Sequence, residues 1–144
     1  MATHTARATW RGDTDTGEGA VEIGAQSLSY TYAARFGTGP GESPEALMGA
    51  ALAADFAMSL AEALAHRGYG PRALDVRSTV YLEEDLEGGY EINRIVLHCE
   101  ADVSTIDDAT FLRLAHQAKQ TCPIARLFKK GVKVDLEAEV LEAV

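Results

Sequence analysis

The sequence predicts an α+β fold, and three observations carry that expectation. Segments with strand periodicity cluster toward the two ends and in one central pair, where a parallel α/β sheet would need strands alternating with helices. The tally is about six strands and two main helices, too few crossovers for a doubly wound sheet. Finally, 144 residues at 47% hydrophobic content supply one ordinary core, with no repeat, low-complexity tract or linker to divide it, so residues 1–144 are read as a single domain.

Taken in order, THTARATW reads as a strand, RGDTDTGEG as a turn, and AVEIGAQSLSYTYAA as two short strands around a Gly-Ala-Gln turn. The result is an N-terminal antiparallel meander, with Arg35 closing its third strand and opening the glycine-rich loop ARFGTGPGES. A long helix follows over SPEALMGAALAADFAMSLAEALAHRG, with Ser43 as N-cap, Pro44 at the first helical position and Gly68 as the stop. About seven turns long, it is apolar on nearly every face, the pattern of a helix buried all round. One chain of this size does not cover such a helix on all sides, so its composition predicts a homodimer.

Beyond this helix, Val76, Ser78, Val80 and Leu82 alternate with Asp75, Arg77, Thr79 and Tyr81. After a Glu87-Gly88-Gly89 turn, Ile95, Leu97, Cys99, Ala101 and Val103 alternate with Arg94, His98, Glu100 and Asp102, giving a long hairpin with one dry side. Asp107 or Asp108 caps a second helix whose stripe runs through Phe111, Leu114, Ala115, Ala118 and Cys122. Pro123 bends the chain there and starts a short helix, PIARLFKKG. A final strand alternates Val132, Val134, Leu136, Ala138 and Val140 with charged neighbours.

Composition removes several classes of function. A formal charge of −9 repels polyanions, which argues against nucleic-acid binding. The start MATHTARATWRGD has no long apolar run or small-residue cleavage pattern, and Asp55 breaks the longest apolar stretch. The expectation is a cytoplasmic protein without a membrane partner. Two cysteines, Cys99 and Cys122, are too few for a disulfide scaffold, and four scattered histidines lack metal-ligand spacing. GTGPGE lacks the lysine and hydroxyl residue of a nucleotide loop, so no cofactor is expected.

The residue that demands an explanation is Asp55, the single charge between Ala46 and Leu60. Leaving a carboxylate unpaired in apolar surroundings costs several kcal/mol, so it must be paired or protonated. Arg35 and Glu45 lie where strand, loop and helix converge, and a guanidinium fork is the group best suited to a buried carboxylate. Cys122 precedes a helix start whose free amides stabilise a thiolate, although its spacing alone favours core packing. Cys99, on the dry face of a strand, reads as a small hydrophobe.

The motifs ATWRGD and GEGAV near the start, RFGTGPGESPEALMGAALAA in the middle and QAKQTCPIARLF near the end together resemble the OsmC/Ohr family, the osmotically induced and organic-hydroperoxide-resistance proteins, and more closely its OsmC branch. The resemblance implies an intertwined homodimer in which strands of both subunits form antiparallel sheets around the long central helices. It also implies two active sites at the subunit interface and thiol-dependent reduction of organic hydroperoxides, and more weakly hydrogen peroxide, in oxidative and osmotic stress defence. In that family a peroxidatic cysteine on the long helix attacks the peroxide to become a sulfenic acid, releasing alcohol or water, and condenses with a second cysteine to a disulfide, which a dithiol reductant, lipoyl-linked for the best-studied members, reopens. Carried over by resemblance, Arg35 stabilises the thiolate and orients the peroxide, Glu45 holds the arginine, and Cys122 is the resolving cysteine.

At the peroxidatic position, where the family reads like AACFSM, this chain reads AADFAM, which places Asp55 in the nucleophile's seat. A carboxylate has no sulfenic acid chemistry, so the two-cysteine cycle does not run in this sequence. Either Asp55 is an engineered replacement mimicking an overoxidised sulfinate, or it is natural and the pocket serves a non-catalytic dimer that binds a small molecule or anion. Peroxide reduction by Cys122 alone, with an external thiol, is a third reading. Asp55 is expected to pair with Arg35, within one subunit or across the interface.

Overall fold

The computed structural model describes residues 1–141. Strands β1 (Arg7–Arg11), β2 (Glu18–Ile23) and β3 (Gln26–Tyr30) form the N-terminal antiparallel meander in that order. The β1–β2 turn is tied by the Asp13 carboxylate, which accepts from the amides of Asp15 and Thr16 at 3.0 and 2.8 Å. A two-residue turn at Gly24 and Ala25 joins β2 to β3, with Gly24 at φ +59°.

β3 ends at Tyr30, so Arg35 does not close it as the sequence suggests. Arg35 lies in a short 3-10 turn, Ala33–Phe36, and its amide donates to Tyr32 O. The glycine-rich loop then doubles back beside β3, where the Glu42 amide donates to Ser29 O at 2.8 Å. A Cβ at Gly41 would lie 3.0 Å from that same oxygen, and φ there is +85°, so the return needs glycine on both counts.

Helix α1 (Pro44–His66) begins as expected, with Ser43 Oγ accepting from the Ala46 amide at 3.1 Å. It stops at Gly68, φ +81°, whose amide and that of Tyr69 satisfy the Ala65 and Leu64 carbonyls. Within the subunit only one face is buried, through Gly49, Leu52, Phe56, Leu60 and Leu64. The opposite face leaves Ala51, Ala54 and Met58 exposed, Met58 at 68%. Burial all round is therefore not achieved by one copy of the chain.

Strands β4 (Ala73–Asp85) and β5 (Gly89–Asp102) form the long hairpin, with Val76 opposite Cys99 and Ser78 opposite Leu97. A bulge at Asn93 shifts the register between Tyr81 and Leu82, and the Asn93 amide group donates to Glu83 Oε2 at 2.8 Å. The dry face lies against α1 so closely that a Cβ at Gly49 would stand 3.1 Å from Val80 Cγ2. Helix α2 (Asp108–Thr121) is capped by Asp107, which accepts from the Thr110 amide at 3.0 Å. Phe56, Leu60, Leu64, Leu114 and Ala118 form the core between α1 and α2, with Leu74, Val76, Leu97 and Cys99 packed against it. Cys99 thus has the structural role its strand position implies, and burial first, then Asp75 and Glu100, pushes its thiol pKa up.

Cys122 ends α2 in an extended conformation, φ −68° and ψ 135°, and α3 (Pro123–Lys130) starts on the proline. The expected sixth strand over 132–140 is absent. Residues 131–141 are irregular and exposed throughout, and their amides and carbonyls pair with no strand among the described residues. Alternation alone does not make a strand; its backbone needs an edge to bond.

Candidate active site

Three pieces of chain meet at the start of α3. Helix α1 places Asp55 on the side facing α3, and Asp55 Oδ2 accepts a hydrogen bond from the Ile124 amide at 2.9 Å. Ile124 is the second residue of α3, so its N–H is one of the amides that a helix cannot satisfy internally. Cys122, the N-cap of α3, makes no side-chain cap bond of its own, and the carboxylate from α1 fills that role. The charge sits at the positive end of the α3 dipole. The question raised by a lone carboxylate in an apolar run is answered: a backbone amide and a helix terminus solvate it.

Cys122 is fully buried beside it. Its thiol feels opposing influences. Burial is the largest and disfavours the thiolate; the Ala125 amide favours it; and the charge and hydrogen bonding of Asp55 disfavour it again. The net effect is a thiol pKa above its ordinary 9.0. The helix start that the sequence offers to a Cys122 thiolate is therefore shared with Asp55, and the carboxylate's charge works against a second anion.

Arg35 and Glu45 meet as the sequence suggests, with Nε 2.8 Å from Glu45 Oε1. The Glu45 side chain is 12% exposed and that of Arg35 is 35% exposed. The contact is close but its angle is not that of a hydrogen bond, and Glu45 Oε2 is buried with no hydrogen-bond partner among the described residues. Arg35 also borders an open pocket of about 250 Å³ with Trp10, Tyr30, Tyr32 and Pro44, an aromatic surround that the sequence reading did not identify.

The structure does not unite the two pairs. Among the described residues no ion pair joins Arg35 to Asp55, so the expected pairing within one subunit is not formed. Glu45 and Asp55 are ten residues apart on one helix, which at the usual rise separates their backbones by about 15 Å. Arg35 is held at one end of that span and Cys122 at the other. The partner that sequence reasoning missed is the Ile124 amide. Its signal was a helix start on Pro123 with no capping side chain before it, which calls for an acceptor from elsewhere.

Residues 37–137 match the family model described as OsmC-like protein. The chain is 34% identical over 134 residues to the peroxiredoxin OsmC of Escherichia coli (strain K12), covering 91% of this chain and 93% of that one. Among solved structures it is similar to the organic hydroperoxide resistance protein OhrB of Bacillus subtilis, at 25% identity and a TM-score of 0.69, over 94% of this chain and 98% of that one. The OsmC-like protein of Mycoplasma pneumoniae shares the fold, with a TM-score of 0.74 at 14% identity over 90% and 89% of the two chains.

Proposed function

Because the chain belongs to the OsmC-like protein family, we propose that it is a homodimeric organic-hydroperoxide reductase in architecture, silenced by Asp55 at the peroxidatic position. The observation that carries this reading is the hydrogen bond from the Ile124 amide to Asp55, beside buried Cys122. A thiolate at residue 55 would meet the same amide, the same helix terminus and a cysteine neighbour able to close a disulfide. The carboxylate takes the stabilisation and offers no sulfur for oxygen transfer. A dithiol reductant, lipoyl-type or other, then finds no disulfide to open.

The dimer supplies what one subunit lacks. In an isologous pair of antiparallel α1 helices, the N-terminal half of one helix lies beside the C-terminal half of the other. That arrangement covers the exposed Ala51, Ala54 and Met58 stripe. It also gives Glu45 Oε2 access to a donor from the partner or from a bound hydroperoxide.

The test is Asp55→Cys assayed with t-butyl or cumene hydroperoxide and a dithiol. The expected outcome is reductant-dependent peroxide consumption absent from the parent chain. A folded, dimeric Asp55→Cys protein with no such activity would overturn the reading. The unsatisfied Glu45 Oε2 beside Arg35 and the aromatic pocket favours one alternative, a non-catalytic dimer that holds a small polar molecule there. A molecule that co-purifies with the protein and is lost on Arg35→Ala would support it.

A further inference from the structure

The bulge at Asn93 decides which way the tip of the long hairpin faces. Residues directly opposite one another share a face, so Ile95 and Leu97 lie with Val80 and Ser78 on the side packed against α1. Under strict alternation Tyr90 would fall with Arg94, His98 and Glu100 on the wet face. The extra residue reverses that parity toward the tip, where Leu82 faces Ile92 and Glu84 faces Tyr90, and Tyr90 therefore turns to the α1 side. The tip is itself tied down: the Glu87 amide donates to Asp85 Oδ1 at 3.2 Å and the Gly88 amide to Asp85 O at 3.1 Å. A continuous hairpin thus holds Tyr90 at a set place relative to α1.

On that side Tyr90 meets Phe36, with ring centroids 5.0 Å apart and planes at 61°. Phe36 meets Tyr32 on its other flank at 5.3 Å and 69°, and Arg35 Cζ stands 6.0 Å from the centre of the Tyr32 ring. Both ring pairs have the edge-to-face geometry that aromatic side chains prefer. The other bonds of the Arg35 turn are local. Thr31 Oγ1 accepts from the Ala34 amide at 3.2 Å and donates to Pro40 O at 2.6 Å, and Thr38 Oγ1 donates to Ala33 O at 3.2 Å. They shape the turn without locating it against α1. Gly37, Gly39 and Gly41, at φ between 77° and 85°, make the onward connection soft. The Arg35–Glu45 contact is close but lacks hydrogen-bond geometry at Nε.

We propose that Tyr90 is a positioning residue for Arg35: through Phe36 it clamps the 3-10 turn to the hairpin tip and so sets where the guanidinium stands beside Glu45 and the aromatic pocket. Tyr90 acts through Phe36 and touches no reacting atom. Arg35 is then referred to α1 twice, directly through Glu45 and indirectly through β4, β5 and the aromatic ladder. Phe36 and Tyr90 are 42% and 51% exposed, so truncating either ring removes the contact without opening a cavity in the core. The consequence for peroxide reduction rests on the hydroperoxide reading, whereas the clamp is a property of the parent chain.

The experiment has two arms, both on the full chain. In the parent protein, NMR reads hydrogen exchange at the Gly37 and Thr38 amides, which close the turn on Ala34 O and Ala33 O. Tyr90→Ala should speed that exchange about fivefold, and Tyr90→Phe, which keeps the ring, should stay within about twofold of the parent. Tyr81→Ala, on the hairpin's wet face, should change nothing. Unchanged exchange in Tyr90→Ala would overturn the proposal whatever the enzyme does. In the Asp55→Cys background, Tyr90→Ala should lower kcat/KM for t-butyl hydroperoxide about fivefold, and adding it to Arg35→Ala should cost nothing further. Independent, additive losses would show Tyr90 acting other than through Arg35 and overturn the proposal. Phe36→Leu removes the middle ring and should reproduce both effects of Tyr90→Ala; parent values there would also overturn it. An inactive Asp55→Cys protein would sink the hydroperoxide reading, and the exchange arm would then decide the clamp alone.

Discussion

Asp55 and Ile124 are separated by 69 residues and joined by one hydrogen bond of 2.9 Å, from an α3 backbone amide to an α1 carboxylate. That bond lets the apolar centre of α1 carry a charge, and it ties the short third helix to the long first one. Replacing Asp55 by Ala removes the cap and should cost about 1 kcal/mol of unfolding free energy, within the usual range for a lost N-cap. Asp55→Asn keeps a carbonyl acceptor and should lose less than half of that. Urea denaturation of the two variants measures the difference, and equal losses would deny the amide bond its role.

Cys122 should be slow to alkylate at neutral pH, because burial and the neighbouring carboxylate raise its thiol pKa above 9.0. Asp55→Asn removes the charge, so the iodoacetamide rate profile should move to lower pH. The same shift has a sign for stability. A thiol whose folded pKa lies above its unfolded one contributes stability that is complete below the unfolded value and is lost as pH rises through the folded value. The stability loss attributable to Cys122 therefore falls on the alkaline side of about pH 9, and Cys122→Ser should flatten that part of the profile.

Arg35 and Glu45 are predicted to matter most where a thiol is present. In the Asp55→Cys background, Arg35→Ala should lower kcat/KM for t-butyl hydroperoxide by at least tenfold, with Arg35→Lys recovering only part because it lacks the planar fork. Glu45→Gln should have a smaller effect through loss of the 2.8 Å contact. In the parent chain the same Arg35→Ala change should cost about 1 kcal/mol of stability, since the guanidinium is partly exposed.

Leu60 is fully buried at the centre of the α1–α2 core. Leu60→Ala should destabilise the protein by about 2–5 kcal/mol. Met58→Ala, two residues away on the exposed face, should leave monomer stability nearly unchanged and instead weaken dimerisation, which sedimentation at graded concentration would read.

Most of the local structure was legible because its causes are local. Ser43, Pro44 and Gly68 delimit α1 through capping and φ preference, and Asp107 does the same for α2. Pro123 forces the bend at Cys122 because it excludes helical geometry from the residue before it. The hairpin faces follow from a period of two, although the bulge at Asn93 left no trace in that period. The two misplacements, Arg35 at a strand end and a sixth strand over 132–140, both concern residues whose conformation depends on what lies beside them. A loop returning along β3 puts Arg35 in a 3-10 turn, and residues 132–140, which pair with no strand among the described residues, stay irregular.

The α+β class, the limits of the helices and the family were readable from the sequence. These follow from periodicity, capping chemistry and motif, which are properties of neighbouring residues. Tertiary structure alone decided what Asp55 binds. The sequence pointed to Arg35, whose charge is complementary, but Arg35 is held by Glu45, about 15 Å along α1 from Asp55, and the Ile124 amide lies at hydrogen-bond distance. Charge complementarity is readable from composition, whereas a backbone amide is the same in every residue and becomes a partner only when packing leaves it unsatisfied within reach.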